Sequence, residues 1–410
     1  MKNAISLLLA GTLVLAASCT GRIHTPEESS LFEPVTDPVS GVVSYALKYG
    51  APDDNRQSLY FVTKSMTEDG RYLLFWHSDG NEKKGLGERH LMLADLKTDT
   101  VHDFGLPAMT PFVETRLNYM VYGDRQRGFF RRNFDTPDQE TKLCDVPKEL
   151  SDLGVVTRLA THLTLTQDRK KAFLDAAVRT PEGRERYLQG LLDLETGAWD
   201  LWGETEWNCN HGQLCPIDDS LAMCAWESAW EAQGQAYQAE TGWYPRMWLV
   251  RKGSKTLIPA EKMNFASHEI WDDDGKGVSW CGHGRMTEDD CVYHVDLATG
   301  QQERWAGVPG ARHNNCSPDN KYVVCDQAPE TWWRGCRWAV AFWNRETEKY
   351  VFVYTSRDAL MPQDNPSRLH PDPHPHFVMN GRYIVSTANN ADGHMDLYIT
   401  PVKQLIEMTQ

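Results

Sequence analysis

The amino-acid sequence predicts an all-β protein folded as a seven-bladed β-propeller. Short runs of β-forming residues alternate with Asp-Gly and Asp-Asn turns along most of the 410 residues, and together they form a unit that occurs seven times. The unit recurs at a spacing of roughly 50 residues, with several short strands in each copy. Such a repeat is typical of a β-propeller, in which each unit is one blade around a common axis. Extended β-sandwich domains are the alternative, and little helix is expected in either case.

The turn in each unit has a physical reason. Asp-Gly and Asn-Gly pairs readily adopt the positive φ angles that join two twisted antiparallel strands. From its turn each unit continues into one β-rich run and then a second. The turns are Asp69-Gly70, Gly123-Asp124, Gln167-Asp168, Asp218-Asp219, Asp274-Gly275, Asp319-Asn320 and Asn380-Gly381. The copy at Gly123-Asp124 is the weakest match.

The N-terminus has the pattern of an export signal. Lys2 is followed by an apolar run from Ile5 to Ala17, and small residues then precede Cys19. This order is typical of a lipoprotein signal peptide with lipid on Cys19, and an ordinary secretory signal is the alternative. We therefore expect an exported lipoprotein in the outer membrane, facing the periplasm or the cell surface. The expected division of the chain is a signal peptide at 1–18, a tether at 19–40 and a single propeller domain at 41–410.

The charge balance narrows the choice of partners. The chain has 42 Lys and Arg against 57 Asp and Glu, a formal net charge of −15. This excess of negative charge argues against nucleic acid as a partner, and membrane contact is expected only through the lipid on Cys19. An acidic substrate would need a local cationic site. We expect a monomer.

Five histidines share one phase relative to the turns. Each lies six residues before the turn Asp or Asn of its unit, or seven in the case of His211: the set is His162, His211, His268, His313 and His374. Equivalent positions in the blades of a propeller form a ring around its axis. The five side chains should therefore meet at one mouth of the central channel, although any one of them could instead be structural.

A Pro-rich segment from His370 to His376 indicates a metal site. Its residues alternate with proline, which favours an extended backbone, and in an extended strand His374 and His376 point to the same face. With His313 from the neighbouring blade they would make a three-histidine site. Imidazole ligands suit several divalent metals and do not select one. A Pro-rich loop with exposed histidines is the alternative.

At these residues the sequence resembles the oligogalacturonate lyase family, polysaccharide lyase family 22. The resemblance extends over residues 55–402. The matching segments are Leu59-Tyr60-Phe61, His211 to Asp219, Arg246-Met247-Trp248-Leu249-Val250, Ser267-His268-Glu269-Ile270-Trp271, His313 with Asp319, and His374-Pro375-His376. The Arg-Met-Trp-Leu-Val and His-Glu-x-Trp segments at this mutual spacing are the distinctive ones.

The resemblance implies a seven-bladed propeller that eliminates across the C4–C5 bond of a uronate in an acidic oligosaccharide. It implies His268 as the base and Arg246 as an assisting residue. It also implies a divalent metal, manganese in that family, with zinc, calcium or iron as alternatives. The implied metal ligands are His313, His374 and His376.

The chain departs from the family at the fourth metal ligand. The family has a Gln three residues before its His-Pro-His pair, where this chain has Pro371, which offers no side-chain donor. His370 or Gln363 could substitute. Two Trp-rich stretches, at 227–244 and 327–337, suggest a reshaped pocket.

The implied chemistry is coherent without the family. The C5 proton of a uronate is α to a carboxylate, and a cation on that carboxylate stabilises the developing charge. A neutral imidazole can then remove the proton near neutral pH. We assign substrate binding to His162 and His211, and sugar stacking to Trp243 and Trp333.

Two other functions fit the same sequence. A propeller glycoside hydrolase acting on acidic glycans would raise reducing ends without creating a double bond. A non-catalytic lipoprotein could capture acidic glycans without turnover, which the missing Gln ligand keeps open.

Overall fold

A computed structural model of the chain describes residues 21–78, 89–107, 111–229, 231–242, 244–259, 266–282, 291–327, 338–355, 372–389 and 394–410. The signal peptide and Cys19 lie outside these ranges, so the lipid anchor stays a prediction. Within them, no helix combines the length and apolar character needed to cross a membrane. All eight cysteines of the described ranges are free thiols.

Within the described ranges, thirty strands form seven antiparallel sheets, which we number as blades along the chain. Blade 1 has the strands β3 (Asn55–Gln57), β4 (Tyr72–Ser78), β5 (His90–Asp95) and β6 (Thr100–Pro107). Blade 2 has the strands β7 (Phe112–Glu114), β8 (Tyr119–Asp124), β9 (Gly128–Asn133) and β10 (Glu140–Cys144). Blade 3 has the strands β11 (Val155–Arg158), β12 (Thr164–Leu165), β13 (Lys171–Arg179), β14 (Glu185–Asp193) and β15 (Trp199–Thr205).

The next three blades each have four strands. Blade 4 has β16 (Cys209–Cys215), β17 (Asp218–Trp226), β18 (Met247–Arg251) and β19 (Ser254–Ile258). Blade 5 has β20 (Ala266–Trp271), β21 (Gly277–Gly282), β22 (Val292–Asp296) and β23 (Gln302–Ala306). Blade 6 has β24 (Ala311–Cys316), β25 (Tyr322–Gln327), β26 (Ala339–Asn344) and β27 (Lys349–Thr355). The described helices are α1 (Lys148–Leu153), α2 (Ala232–Thr241) and α3 (Val402–Met408).

Blade 7 joins the two ends of the chain and closes the ring. Its strands are β1 (Phe32–Thr36), β2 (Val43–Leu47), β28 (His376–Val378), β29 (Tyr383–Asn389) and β30 (Met395–Pro401). β2 pairs antiparallel with β30, which leaves β1 at the outer edge. The folded part therefore starts before residue 40, where the expected tether ends, because β1 gains a full register of backbone hydrogen bonds with β2.

The β-rich runs of the sequence units are the second and third strands of the blades. In blade 1, for example, the two runs are β4 and β5. These middle strands are apolar on both faces because each blade packs between two others. Leu74 in β4 belongs to the core shared with blade 2, and its neighbour Phe75 belongs to the core shared with blade 7. The predicted seven-bladed β-propeller is confirmed.

The turn predicted for blade 2 lies one strand too late along the chain. The turn at Asp124 joins the two middle strands β8 and β9, whereas the turns of the other units join the inner strand to the second strand. The equivalent turn of blade 2 is at Asn118, which has a φ of 55°. No Asp-Gly pair marks that position, so the sequence pattern is weaker there.

Candidate functional site

The five in-phase histidines come together at the propeller axis. The ring centroids of His162 and His211 are 5.2 Å apart. Those of His268 and His313 are 3.9 Å apart, and those of His313 and His374 are 4.4 Å apart. The histidines that share one position in five sequence units therefore form one cluster of imidazoles.

Tyr60 lies at the centre of this cluster, and the sequence did not single it out as a site residue. Its ring is stacked on His162 at 4.9 Å and meets the edge of His374 at 4.7 Å. The next residue, Phe61, approaches His268 at 6.2 Å. Blade 1 has no histidine in the shared phase and supplies these two aromatic rings instead.

Irregular backbone aims several of the histidines. His211, His268 and His374 have φ angles of 52°, 54° and 45°, which are unusual for a residue with a side chain. The pairing register also shifts around His211, His268 and His313, between the first and second strands of blades 4, 5 and 6. Such bulges redirect side chains next to functional sites, and strained residues persist only where the surrounding fold fixes them.

His313, Asp372 and His374 form the candidate metal site. One donor atom from each lies within 4.8 Å of the others, and all three residues are buried. Oδ2 of Asp372 is 3.8 Å from Nε2 of His313 and 3.9 Å from Nε2 of His374. Two imidazoles and a carboxylate suit manganese, zinc or iron. The residues therefore fit a divalent cation.

Asp326 binds the backbone of both histidines of this site. Its carboxylate accepts hydrogen bonds from the backbone N–H of His313 at 2.7 Å and of His374 at 3.2 Å. It also contacts Nδ1 of His313 at 2.9 Å. Burial opposes protonation of His313, but Asp326 and Asp372 raise the pKa of this residue. A carboxylate on Nδ1 leaves Nε2 to face a metal, which is the usual arrangement around metal-bound histidine.

His376, an expected metal ligand, is not part of this group. The positive φ of His374 breaks the alternation that would have placed the two side chains on one face. Nδ1 of His376 donates to the carbonyl of His374 at 3.0 Å, and Nε2 accepts from the hydroxyl of Ser65 at 2.7 Å. Burial lowers the pKa of His376 to about 4. Asp372 lies between two prolines and was not predicted as a ligand, but it supplies the third donor.

His268, the expected base, lies against the metal site. Its Nδ1 contacts the backbone carbonyl of Arg312. A carbonyl can only accept a hydrogen bond, so Nδ1 carries the proton and Nε2 of the neutral ring carries the lone pair. The tautomer suits a general base.

Arg246 is buried between two carboxylates. Its guanidinium contacts Glu269 at 3.3 Å and Glu227 at 3.1 Å. Burial disfavours the charged guanidinium, but Glu269 and Glu227 raise the pKa of Arg246. Glu269 lies in the bulge of β20, directly after His268, and is 0% exposed. Glu227 and Glu269 are thus site residues that the sequence missed.

His162 is stacked on Tyr60, and the ring of His211 is 6.3 Å from the ring of Tyr60. The ring nitrogens of His211 are 3.5 Å from Glu269 and 3.6 Å from Glu227. Burial lowers the pKa of His211, although Glu269 works in the opposite direction. Burial also lowers the pKa of His162 far below its usual value, with the help of His211 and Arg158. The other expected site residues, Trp243, Trp333 and His370, lie outside the described ranges.

Comparisons with known proteins agree on the architecture. No model of a protein family matches the chain, and no curated protein matches it. Among solved structures, an oligogalacturonate lyase in complex with manganese matches with a TM-score of 0.71 and 19% identity, covering 90% of this chain and 96% of that one. The oligogalacturonate lyase of Vibrio parahaemolyticus gives the same values. This chain therefore shares the seven-bladed propeller fold of these two lyases.

Proposed function

We propose that the protein is a metal-dependent lyase that cleaves uronic-acid-containing glycans of the oligogalacturonate type by β-elimination. The observation that carries the proposal is the contact between His268 and the donor group of His313, Asp372 and His374, with ring centroids 3.9 Å apart for His268 and His313. A base and a cation site are neighbours, as the abstraction of a proton α to a carboxylate requires.

The charge of the site supports a requirement for a cation. Asp326, Asp372, Glu227 and Glu269 surround the axis, whereas Arg246 is the cation that contacts two of them. A uronate would meet net negative charge there. A bound divalent metal, manganese in our proposal, would supply the positive charge that holds the uronate carboxylate and lowers the barrier to losing the C5 proton.

The residues of the chain would divide the remaining work. Nε2 of His268 would take the C5 proton, and the electrons of the C–H bond would form the C4=C5 double bond. The C4–O4 bond would break with its electron pair on O4, and this oxygen would take a proton from water. Arg246 would bind the substrate carboxylate by exchanging its contact with Glu227, whose side chain is 34% exposed, and keeping its contact with Glu269. The lipid anchor at Cys19 and a monomeric state belong to the same proposal.

The carboxylates of the site do not favour a hydrolase. A hydrolase needs one protonated carboxyl group as general acid. Burial tends to protonate Glu227, but Arg246 and His211 lower its pKa, so this carboxylate is ionised at neutral pH. Glu269 is held by the same guanidinium.

Ultraviolet absorbance of the unsaturated uronate tests the proposal. Purified protein is incubated with oligogalacturonates before and after chelation, and again after Mn²⁺ is restored. We expect turnover that chelation abolishes and Mn²⁺ restores, and a loss of about 10²–10⁴-fold in kcat for His268→Ala. The matched control is His90→Ala, because His90 lies in β5 and pairs with Asp103, away from the axis.

Two results would contradict the proposal. New reducing ends without absorbance would indicate hydrolysis. Saturable binding of the oligosaccharides with neither product would indicate a non-catalytic binding protein.

A further inference from the structure

His162 is a buried imidazole whose hydrogen-bonding capacity is not used. Both of its ring nitrogens lack a hydrogen-bond partner in the described part of the chain, although the residue is only 6% exposed. A buried polar group without a partner destabilises a fold, because it loses its hydrogen bonds to water and gains none in return. The imidazole is at the axis, stacked on Tyr60 and 5.2 Å from His211. This position indicates a group that is satisfied by a ligand.

The fold holds His162 and His211 in place with one carboxylate. Asp175 in β13 accepts hydrogen bonds from the backbone N–H of Thr161 at 2.6 Å and from its hydroxyl at 2.7 Å. It also accepts from the N–H of Gly212 at 3.0 Å. A Cβ atom on Gly212 would come within 3.0 Å of Asp175, so glycine allows this approach. The residues next to both imidazoles are thereby fixed before any ligand binds.

The surroundings of His162 do not attract a carboxylate. The carboxylate of the uronate itself is assigned to Arg246, and the partners of this arginine, Glu227 and Glu269, flank His211 with negative charge. Arg158 donates to the carbonyls of Asp175 and Cys209 and to the side-chain oxygen of Asn208. Arg158 is therefore engaged by protein oxygens, and the carboxylates around His211 repel a second carboxylate.

The imidazole itself matches a hydroxyl group. Its lowered pKa keeps His162 neutral near pH 7. A neutral imidazole offers one N–H donor and one acceptor, which is the pattern that a pair of sugar hydroxyls can satisfy. A carboxylate has only acceptors and would leave one nitrogen unpaired.

We infer that His162, with His211 and Tyr60, forms a subsite for a neutral sugar next to the uronate. This inference rests on the proposed function, which places the uronate itself at the metal site and Arg246. It narrows the substrate class to glycans in which a uronate is followed by a neutral hydroxylated sugar, as opposed to chains made of uronates alone.

Two families of oligosaccharides of equal length test the inference. One is a homo-oligogalacturonate, and the other alternates a uronate with a neutral hexose or deoxyhexose. We expect the wild type to have the higher kcat/KM on the alternating chains. His162→Phe keeps a ring on Tyr60 but removes both nitrogens, and should lower kcat/KM on the alternating chains roughly 10- to 100-fold, the worth of one or two hydrogen bonds. The same variant should change kcat/KM on homo-oligogalacturonate by less than about threefold.

Two further variants sharpen the test. His162→Asn retains a donor and an acceptor and should recover part of the loss, whereas His90→Phe is the matched control outside the axis. A wild type that prefers homo-oligogalacturonate would overturn the inference even if the variants failed to fold. An equal loss on both substrates in His162→Phe would also overturn it. If the wild type forms no unsaturated product from any glycan, the proposed function fails and the inference with it.

Discussion

The axial cluster has two halves that share a scaffold and differ in charge. The metal half consists of His313, His374 and Asp372, and the sugar half consists of His162 and His211. In each, one buried aspartate binds backbone N–H groups of two successive blades: those of His313 and His374 in the metal half, and those of Thr161 and Gly212, next to His162 and His211, in the sugar half. The aspartates are Asp326 in blade 6 and Asp175 in blade 3.

The two aspartates occupy the same position in their blades. Tyr322 begins β25 and pairs with Asn344, and Asp326 lies four residues further along the strand. Lys171 begins β13 and pairs with Asp193, and Asp175 also lies four residues further along. The difference arises next to them. The metal half adds Asp372 as a third donor, whereas the carboxylates of the sugar half are bound to Arg246. The same scaffold thus supports a group of donors that fits a divalent cation, where Asp372 faces two imidazoles, and the site that we propose for a neutral sugar.

The largest effect that separates the halves should come from Arg246. Arg246→Gln leaves the buried carboxylate of Glu269 without its cation, and we expect the free energy of unfolding to fall by about 3–5 kcal/mol. Denaturant titration measures this. The double variant Arg246→Gln/Glu269→Gln should recover part of the loss, since it removes the unpaired charge as well.

The matched control for this prediction is Arg186→Gln, which removes a partly exposed pair with Glu204. That loss should stay within about 1 kcal/mol. Equal losses for the two arginines would mean that the Arg246 cluster is not a buried ion-pair network, and the charge difference between the halves would disappear.

Replacing each of the two scaffold aspartates by asparagine tests whether they serve different sites. Asp326→Asn weakens the contact that orients His313, and we expect the affinity for Mn²⁺, measured by calorimetry, to drop about 10- to 100-fold. Asp175→Asn is the equivalent change in the other half and should leave that affinity unchanged. A drop of similar size in both variants would show that the two halves form one metal site.

The smallest effect should be a pH dependence of stability from His162. Its pKa in the folded protein lies well below the value of about 6.5 expected in the unfolded chain, so the unfolded chain binds more protons as the pH falls. The stability from its neutral ring is present above about pH 6.5 and is lost as the pH falls below that value. Between about pH 7.5 and pH 5.5 the loss should be on the order of 1 kcal/mol.

Chemical denaturation at the two pH values, for the wild type and His162→Phe, measures this loss as the difference between their slopes. A variant with the slope of the wild type would mean that His162 is not buried as a neutral ring, and the sugar half would lose its uncharged character.

The fold and the position of the cluster were readable from the sequence because both depend on a period. The recurring turns identified the middle strands of six blades in phase, and the shared phase of five histidines placed them at the axis. The turn at Asn118 has the same positive φ without an Asp-Gly pair, so no residue pattern marks it in the sequence.

The identity of the candidate metal donors depended on local backbone geometry, which the sequence repeat does not determine. Alternation along an extended strand predicted His374 and His376 together, but the positive φ at His374 turned His376 toward Ser65. Asp372 took its place, although it belongs to the same Pro-rich segment. Glu269 directly follows His268, and a strand without a bulge would have turned its side chain away from the axis.

By itself, then, the sequence determined the seven blades and the converging histidines, and its resemblance to the lyase family led to the proposal of His268 as a base. Only the tertiary structure decided which carboxylates join them: Asp326 and Asp372 at the metal half, Glu227 and Glu269 around Arg246. The physical reason is that a repeat fixes the blade on which a side chain lies, whereas its direction depends on bulges and positive φ angles that contacts with the neighbouring blades stabilise.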